Sequence, residues 1–128
     1  MRSHHFDQSA VVLTPNQSCD VVALDSGLYE KLDRDYAGFA GHTLIAMHHF
    51  TENWPTWERH PKGDEIVCLI SGSAEFVVRT TEGEQRMVLD SPGSFVLVPR
   101  NTWHTAHIAD AATCLFFTPG EGTENTDV

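Results

Sequence analysis

Short apolar runs separated by turn residues fill the sequence from His42 onward. The runs are rich in β-branched and aromatic side chains, which favour strands, and Pro and Gly recur between them, as at Pro92-Gly93. Strands are predicted at residues 42–50, 65–70, 74–80, 85–89, 95–98, 103–108 and 113–118. Many short strands with regular turns predict an all-β sandwich or barrel.

The two ends of the chain have a different character. Ala10–Thr14 is predicted to be a strand that Pro15 stops, and Ser26–Asp35 contains a predicted short helix with Ser26 or Asp25 as its cap. The final residues are rich in Gly, Thr and acidic side chains, which is typical of disorder. We therefore expect an N-terminal strand and helix packed on the barrel (1–40), the barrel itself (41–119) and a disordered acidic tail (120–128).

Length and charge exclude several classes of function. A chain of 128 residues suits a single core, and its 8 basic and 18 acidic residues give a net charge of −10. That charge disfavours binding to nucleic acid or to anionic membrane surfaces. No apolar run approaches the ~18 residues of a membrane span, and Met1–His5 lacks the apolar core of a signal peptide. These features predict a cytoplasmic protein that binds a small molecule.

The three cysteines, Cys19, Cys68 and Cys114, share no C-x-x-C spacing. Cys68 and Cys114 lie within apolar runs, where a free thiol behaves as a small hydrophobic group. We expect buried thiols in a reducing cytosol, and a thiolate nucleophile or metal ligand is the alternative.

Two segments carry residues suited to metal chemistry. Trp57–Gly72 contains Glu58, His60 and Glu65, and Pro92–His104 ends in a histidine beside a strand-like run. Imidazole nitrogens and carboxylate oxygens are the donors that divalent transition metals use in proteins. Because Glu58 and His60 are two residues apart, an extended backbone would point both side chains to the same face.

These segments resemble the two motifs of the cupin superfamily, G-x5-H-x-H-x3-4-E-x6-G and G-x5-P-x-G-x2-H-x3-N. The positions that match are His60, Glu65 and Gly72 in the first motif and Gly93, Pro99 and His104 in the second. Four positions depart from the pattern: Glu52 and Glu58 replace a glycine and a histidine, and Asn101 and Ile108 replace a glycine and an asparagine. Asparagine tolerates left-handed turn geometry, so the exchange at Asn101 is compatible with the motif.

The resemblance implies a double-stranded β-helix, or jelly-roll, barrel that holds one divalent ion, either Fe, Mn, Ni or Zn. The metal ligands it implies are Glu58, His60, Glu65 and His104. With two neutral imidazoles and two carboxylates, a divalent ion gives a site of formal charge near zero, whereas the usual set of three histidines and one glutamate leaves it at plus one. The role of Glu58 stays open: it either binds metal, or hydrogen-bonds a ligand histidine, or acts catalytically by moving a proton.

Three functions are compatible with such a barrel. The first is an enzyme acting on a small organic molecule, either as a dioxygenase or as an isomerase or lyase. The second is a non-catalytic module that senses a small ligand or a metal, and the third is a barrel that has lost its metal. Arg59 or Arg100 is a candidate for binding a substrate carboxylate, and only one of the adjacent His48 and His49 can face the barrel interior. We also expect a homodimer, with Ala10–Thr14 as a candidate for strand exchange.

Overall fold

The computed structural model describes residues 1–128 as two antiparallel β-sheets with little helix. The strands are β1 (Ser9–Leu13), β2 (Cys19–Ala23), β3 (Thr43–Phe50), β4 (Thr56–Arg59), β5 (Glu65–Gly72), β6 (Ala74–Thr80), β7 (Gly83–Leu89), β8 (Phe95–Val98), β9 (His104–His107), β10 (Ala112–Thr118) and β11 (Glu124–Asp127). One α-helix, α1 (Leu28–Asp35), and a 3-10 turn, Ala37–Phe39, complete the fold. The predicted all-β jelly-roll architecture is confirmed.

The strands divide between a six-stranded sheet, ordered β2-β1-β3-β10-β5-β8, and a five-stranded sheet, ordered β11-β4-β9-β6-β7. All neighbouring strands are antiparallel. The inward faces of both sheets contribute to one apolar core, in which Leu69 on β5, Phe76 on β6 and Ala106 on β9 are buried. The core thus joins the two sheets as the two halves of one barrel.

Alternation along β5 determines which side chains enter the barrel. Glu65, Val67 and Leu69 are buried, whereas Ile66 and Ile70 on the opposite face are exposed. This period of two is the pattern expected of a strand with one face on a core. It places the carboxylate of Glu65 inside the barrel among apolar neighbours.

The N-terminal segment extends the six-stranded sheet and covers its end. Helix α1 buries Leu28 and Leu32 in a second apolar cluster, which includes Val12 of β1 and Leu44 of β3. The helix exists as predicted, but its cap differs: Gly27 is the cap residue, and its N–H donates to the carboxylate of Asp25 at 3.0 Å. Neither helical segment has the length and apolar character that crossing a membrane requires.

The prediction of a disordered tail at residues 120–128 is wrong. Glu124–Asp127 forms β11, which pairs with β4 in the register Asn125↔Glu58 and Thr126↔Trp57. All four side chains of β11 are polar and exposed, so the segment lacks the alternating apolar residues from which a strand is predicted. The segment is held by backbone pairing at a free strand edge and by an ion pair of 2.9 Å between Glu124 and Arg59. A chain can gain order at such an edge without burying apolar surface.

Candidate metal centre

The structure brings the four predicted ligand residues together at one end of the barrel. Glu58 lies near the end of β4, His60 directly follows that strand, Glu65 begins β5 and His104 begins β9. Glu58 and His104 are paired across β4 and β9, whereas Glu65 reaches the same point from the other sheet. One potential donor atom from each residue lies within 4.8 Å of all the others. The fold therefore assembles the group from both motifs.

Short distances connect the two glutamates to the two histidines. Nε2 of His60 lies 2.9 Å from Oε1 of Glu58 and 3.2 Å from Oε2 of Glu65. Nε2 of His104 lies 3.1 Å from Oε1 of Glu65. His60, Glu65 and His104 are 3%, 1% and 0% exposed, whereas the side chain of Glu58 is 29% exposed. Three members of the group are thus shielded from water, and Glu58 is the member that solvent can reach.

The outer nitrogen of each imidazole ring is already held by the protein. Nδ1 of His104 lies 3.0 Å from the carbonyl oxygen of Thr102, which can only accept a hydrogen bond. Nδ1 of His60 lies 2.8 Å from Oγ1 of Thr123, whose own proton is donated to the carbonyl oxygen of Gly120 at 2.9 Å. Both rings must therefore donate from Nδ1, and in a neutral ring this leaves a lone pair at Nε2.

These lone pairs point at carboxylate oxygens, which is a repulsive arrangement unless a cation lies between them. Nε2 of both histidines and Oε1 of Glu65 are buried and have no hydrogen bond of acceptable geometry. Buried polar atoms without partners are rare in folded proteins and mark a place where an ion or a proton belongs. The four side chains thus form a group that could hold one divalent ion, and second-layer contacts of this kind are typical of metal-binding histidines.

The same geometry shifts two pKa values. Burial alone would lower the pKa of His60, but the adjacent carboxylates of Glu58 and Glu65 outweigh it and raise that pKa to about 9. Burial alone would raise the pKa of Glu65, but His104 and His60 outweigh it and lower that pKa to about 2. Without a metal, a proton on His60 is therefore the cation that relieves the repulsion between these groups.

Two threonines that orient the donors were not predicted from the sequence. Thr123, in the segment predicted to be disordered, holds the ring of His60. Thr118 on β10 donates its hydroxyl proton to Oε2 of Glu65 at 2.6 Å. Neither threonine belongs to the matched motifs, and threonines are common on strand surfaces. No signal in the sequence separates these two from the others.

Two turn positions explain features of the motifs. Gly72 has a φ of 80°, and a Cβ atom there would collide with the carbonyl oxygen of Ala111, so only glycine fits. Asn101 stands where the pattern has glycine and adopts a left-handed φ of 57°, as its residue type permits. The N–H of Asn101 donates to the carbonyl oxygen of His60 at 2.8 Å, which ties the second motif to the first.

A cavity of about 900 Å³ lies above the group and is lined by Glu58, His60 and Glu65 at its inner end. Its lining includes residues of helix α1 and the 3-10 turn and residues of the segments leading into β4 and β11. The exposed residues Asp33, Glu52 and Asn125 lie at its mouth. The cavity thus offers a small molecule access to the candidate metal centre.

An aromatic wall forms one side of the cavity and consists of His48, Phe50, Trp54 and Phe116. Ring centroids are 5.3 Å apart for His48 and Phe116 and 5.6 Å apart for Phe50 and Trp54. The ring of Trp54 also lies 6.0 Å from that of His104, so the wall extends to the candidate metal centre.

Neither candidate arginine lines the cavity, whereas both of the adjacent histidines do. Arg59 donates to Glu124 and stacks on Trp103 with its guanidinium carbon 4.6 Å from the ring centre, and Arg100 also lies outside the cavity lining. The structure therefore does not place either candidate arginine at the cavity, and a role in binding a substrate carboxylate stays a prediction. Of the adjacent histidines, His48 faces the interior, and the more exposed His49 lies within hydrogen-bonding distance of Thr113.

The thiols are placed largely as expected, because Cys114 is buried and Cys68 is partly buried, whereas Cys19 is exposed. Burial raises the pKa of the Cys114 thiol to about 11, with a smaller effect from Cys68. A thiol with such a pKa is protonated at neutral pH and is a poor nucleophile. None of the three belongs to the candidate metal centre.

Comparison with known proteins identifies the fold. No protein-family model matches the sequence, and no curated protein sequence matches it significantly. Solved structures do match: a cupin-2 domain protein from Shewanella frigidimarina aligns with a TM-score of 0.51 and 16% identity over 60% of this chain and 70% of its own. Hydroquinone 1,2-dioxygenase from Sphingomonas sp. TTNP3 aligns with a TM-score of 0.51 and 17% identity over 59% of this chain and 58% of its own.

Oxalate decarboxylase from Bacillus subtilis aligns with a TM-score of 0.54 and 15% identity over 67% of this chain, which corresponds to only 24% of the enzyme. The chain thus spans less than two thirds of the length of both named enzymes. These alignments confirm the resemblance inferred from the motifs at the level of fold: the chain has the cupin fold. Since the matched enzymes catalyse different reactions, the fold leaves the activity of this chain open.

Proposed function

We propose that the protein is a metal-dependent enzyme that acts on a small organic molecule. One divalent ion, either Fe, Mn, Ni or Zn, is held by His60, Glu65 and His104, with Glu58 as a fourth ligand or a neighbour. The observation that carries the proposal is the pair of buried Nε2 lone pairs facing carboxylate oxygens, each fixed by a hydrogen bond on the far side of its ring. A divalent cation turns this repulsion into coordination.

The buried members of the group supply a rigid cradle. The hydroxyl of Thr118 fixes Oε2 of Glu65, and Thr123 and the Thr102 carbonyl fix the two rings, so no large side-chain motion is needed to receive the ion. When bound, the ion would supply a Lewis acid or a redox centre to a substrate that enters through the cavity. The barrel would exclude bulk water from one side of the reacting molecule.

Glu58 is the candidate catalytic residue because it is the only group member that is appreciably exposed and also lines the cavity. Its Oε1 lies 2.9 Å from Nε2 of His60, which places the carboxylate beside the position proposed for the ion. A carboxylate in that position can take a proton from a bound substrate and return it at another atom, as a dioxygenase, isomerase or lyase requires.

The test has two stages. Elemental analysis of protein purified without added metal identifies the ion, and the loaded protein is then incubated with diketones, catechols and sugar acids. Oxygen uptake coupled to product formation indicates a dioxygenase, and product formation without oxygen uptake indicates an isomerase or lyase. Glu58→Gln is the matched variant, expected to bind the same molecules but to turn them over more slowly by about 100-fold or more. Tight binding without turnover in the wild type would support the alternative, a non-catalytic sensor module.

We further propose that the protein is a homodimer. Ile66 and Ile70 on β5 and Phe95 and Leu97 on the edge strand β8 are exposed, and the pairing Ile66↔Leu97 places them on one outward face. Exposed apolar surface on an edge strand favours association with a second copy. Light scattering should report a dimer for the wild type and a monomer for Leu97→Glu. The predicted exchange strand, β1, is flanked by β2 and β3 of its own chain.

A reducing location, such as the cytoplasm, is proposed from the thiols. All three cysteines are free thiols, and free thiols are typical of proteins in a reducing compartment. Cell fractionation followed by immunodetection tests the location, and recovery of the protein in a secreted or periplasmic fraction would contradict it.

A further inference from the structure

The charged side chains that line the cavity are mainly carboxylates. Glu58 and Glu65 lie at its inner end, and Asp33 and Glu52 lie at its exposed mouth. Arg59, which follows Glu58 in the sequence, is paired with Glu124 and stacks on the indole ring of Trp103 outside the cavity. A ligand that enters therefore passes two acidic groups before it meets the candidate metal centre.

With an ion bound, the cavity would still carry a net negative charge. Glu58 and Glu65 together carry two negative charges, which cancel a divalent cation when both imidazoles are neutral. The negative charges of Asp33 and Glu52 then have no positive counterpart in the metal centre. In a cleft lined by charges of one sign, the electrostatic field is concentrated toward the interior. An anionic ligand would find no surplus of positive charge at the inner end and would be repelled at the mouth.

The aromatic wall offers a different kind of attraction. Phe50, Trp54 and Phe116 are mutually packed, with centroid separations of 5.6 to 6.0 Å, and all three line the cavity. Flat rings bind such surfaces through offset or edge-on contacts. Because Trp54 also contacts the ring of His104, a flat ligand on the wall would have one end close to the metal centre.

His48 adds a polar group to this wall. Burial lowers its pKa and His49 adds to that shift, whereas the charges of Glu58 and Glu65 oppose it, so the site favours the neutral form of the ring. Its ring packs edge-on against Phe116 at 5.3 Å. A neutral imidazole can donate or accept one hydrogen bond and does so without requiring a charged partner.

We propose, on the basis of the proposed function, that the cavity takes a flat aromatic molecule without negative charge, such as a phenol. The ring of the ligand lies on the wall formed by Phe50, Trp54 and Phe116, and one of its oxygen atoms reaches the metal centre. His48 forms a hydrogen bond with a second polar group of the ligand. Aromatic carboxylates of the same shape are rejected by the acidic mouth and by a metal centre of zero formal charge.

Three probes of matched shape test the charge requirement: 4-hydroxybenzyl alcohol, 4-hydroxybenzylamine and 4-hydroxybenzoate. At pH 7 and low salt, calorimetry should show the alcohol and the amine binding at least about tenfold more tightly than the carboxylate, because like charges oppose each other across the cavity. The difference should shrink as salt is added, since ions screen the exposed carboxylates at the mouth. Equal or tighter binding of 4-hydroxybenzoate would overturn the inference.

Two variants assign the effect to particular residues. The double variant Asp33→Asn/Glu52→Gln, which leaves the metal centre untouched, should narrow the preference for the alcohol over the carboxylate by about threefold or more. His48→Phe keeps a flat ring in the wall and should weaken binding of the alcohol by about fivefold or more through loss of one hydrogen bond. An unchanged preference in the first variant would show that the mouth does not select charge.

The metal proposal and the ligand proposal can fail separately. The metal content of each sample is measured before titration, and the titrations are repeated on metal-free protein. The ranking of the probes should persist without metal, because removing the cation leaves the carboxylates of Glu58 and Glu65 less compensated. A wild-type protein that takes up no divalent ion but still ranks the probes in this order contradicts the proposed function alone, and a metal-loaded protein that binds none of them contradicts the ligand inference alone.

Discussion

The two histidines of the candidate metal centre are held in different ways. The ring of His104 is oriented by the carbonyl oxygen of Thr102, two residues earlier in the chain. The ring of His60 is oriented by the hydroxyl of Thr123, 63 residues further along the chain. His104 thus has its support within its own motif, whereas His60 depends on the folded C-terminal segment.

This difference shows how the site relies on the whole chain. Pairing of β11 with β4 brings the C-terminal segment alongside Glu58 and Arg59, and the Glu124–Arg59 ion pair adds a side-chain contact beside Thr123. The support of His60 can therefore be removed by a side-chain substitution, but the support of His104 cannot, because a backbone carbonyl persists in every variant. The contrast leads to four predictions.

The largest effect is expected from removal of either imidazole. His60→Ala and His104→Ala should each lower metal affinity by about 100-fold or more, because each variant removes one of the two nitrogen ligands, both of which are buried. Metal titration with a competing chelator measures the loss. Circular dichroism should show that both variants retain strand structure, since the apolar core is separate from these rings. Unchanged affinity in both variants would place the metal elsewhere.

Removal of the hydroxyl that supports His60 should have the next largest effect. Thr123→Val preserves the shape of the side chain but cannot accept the proton of His60 Nδ1, and we expect a decrease in metal affinity of about 10- to 100-fold. Thr123→Ser is the matched control and should stay within about threefold of the wild type, because it retains the hydroxyl. Equal affinity in the valine and serine variants would refute the contrast between the two histidines.

Protons should compete with the metal through His60. Because the pKa of His60 is raised to about 9, metal affinity should increase by about tenfold per pH unit up to that value. In metal-free protein, the same shift stabilises the fold below the ordinary pKa of 6.5, and this contribution is lost between pH 6.5 and about 9. Thermal melts of metal-free wild type and His60→Gln should therefore converge as pH rises, and parallel curves would contradict the assignment.

The smallest effect should be a change in metal preference at Glu58. Glu58→His creates three histidines and one glutamate and raises the formal charge of the site by one unit. If Glu58 binds the metal, preference should move toward Ni, Cu or Zn, because imidazole suits these ions better than carboxylate does. If Glu58 only moves protons, metal preference should stay the same and turnover should fall. Competition between metals separates the two cases, and no change in either property would exclude both roles.

Strand alternation and turn chemistry could be predicted from the sequence because they are local properties, whereas the meeting of the four residues at the inner end of the barrel was implied by the resemblance to the cupin motifs. Glu65, Val67 and Leu69 all face inward as their spacing of two requires. Asn101 adopts the left-handed turn that its residue type permits. Each of these predictions needed only a few consecutive residues.

The missed features depend on contacts between distant segments. The exposed strands β2 and β11 have no continuous apolar face, so neither gave a periodic signal. The roles of Thr118 and Thr123 depend on pairing that brings β10 and the C-terminal segment to the ligand residues. The exclusion of Arg59 from the cavity likewise results from its ion pair with Glu124 on β11. Pairing partners of this kind are set by the fold rather than by local sequence.

X-ray absorption spectroscopy of the protein loaded with one equivalent of Mn(II) tests the central claim most directly. We predict two imidazole rings on the metal, from His60 and His104, with the remaining ligands oxygen atoms from carboxylates or water. The double variant His60→Ala/His104→Ala provides the spectrum of an ion without imidazole ligands. Two imidazoles in the wild type would support the site described here, and a spectrum that matches that of the double variant would contradict it.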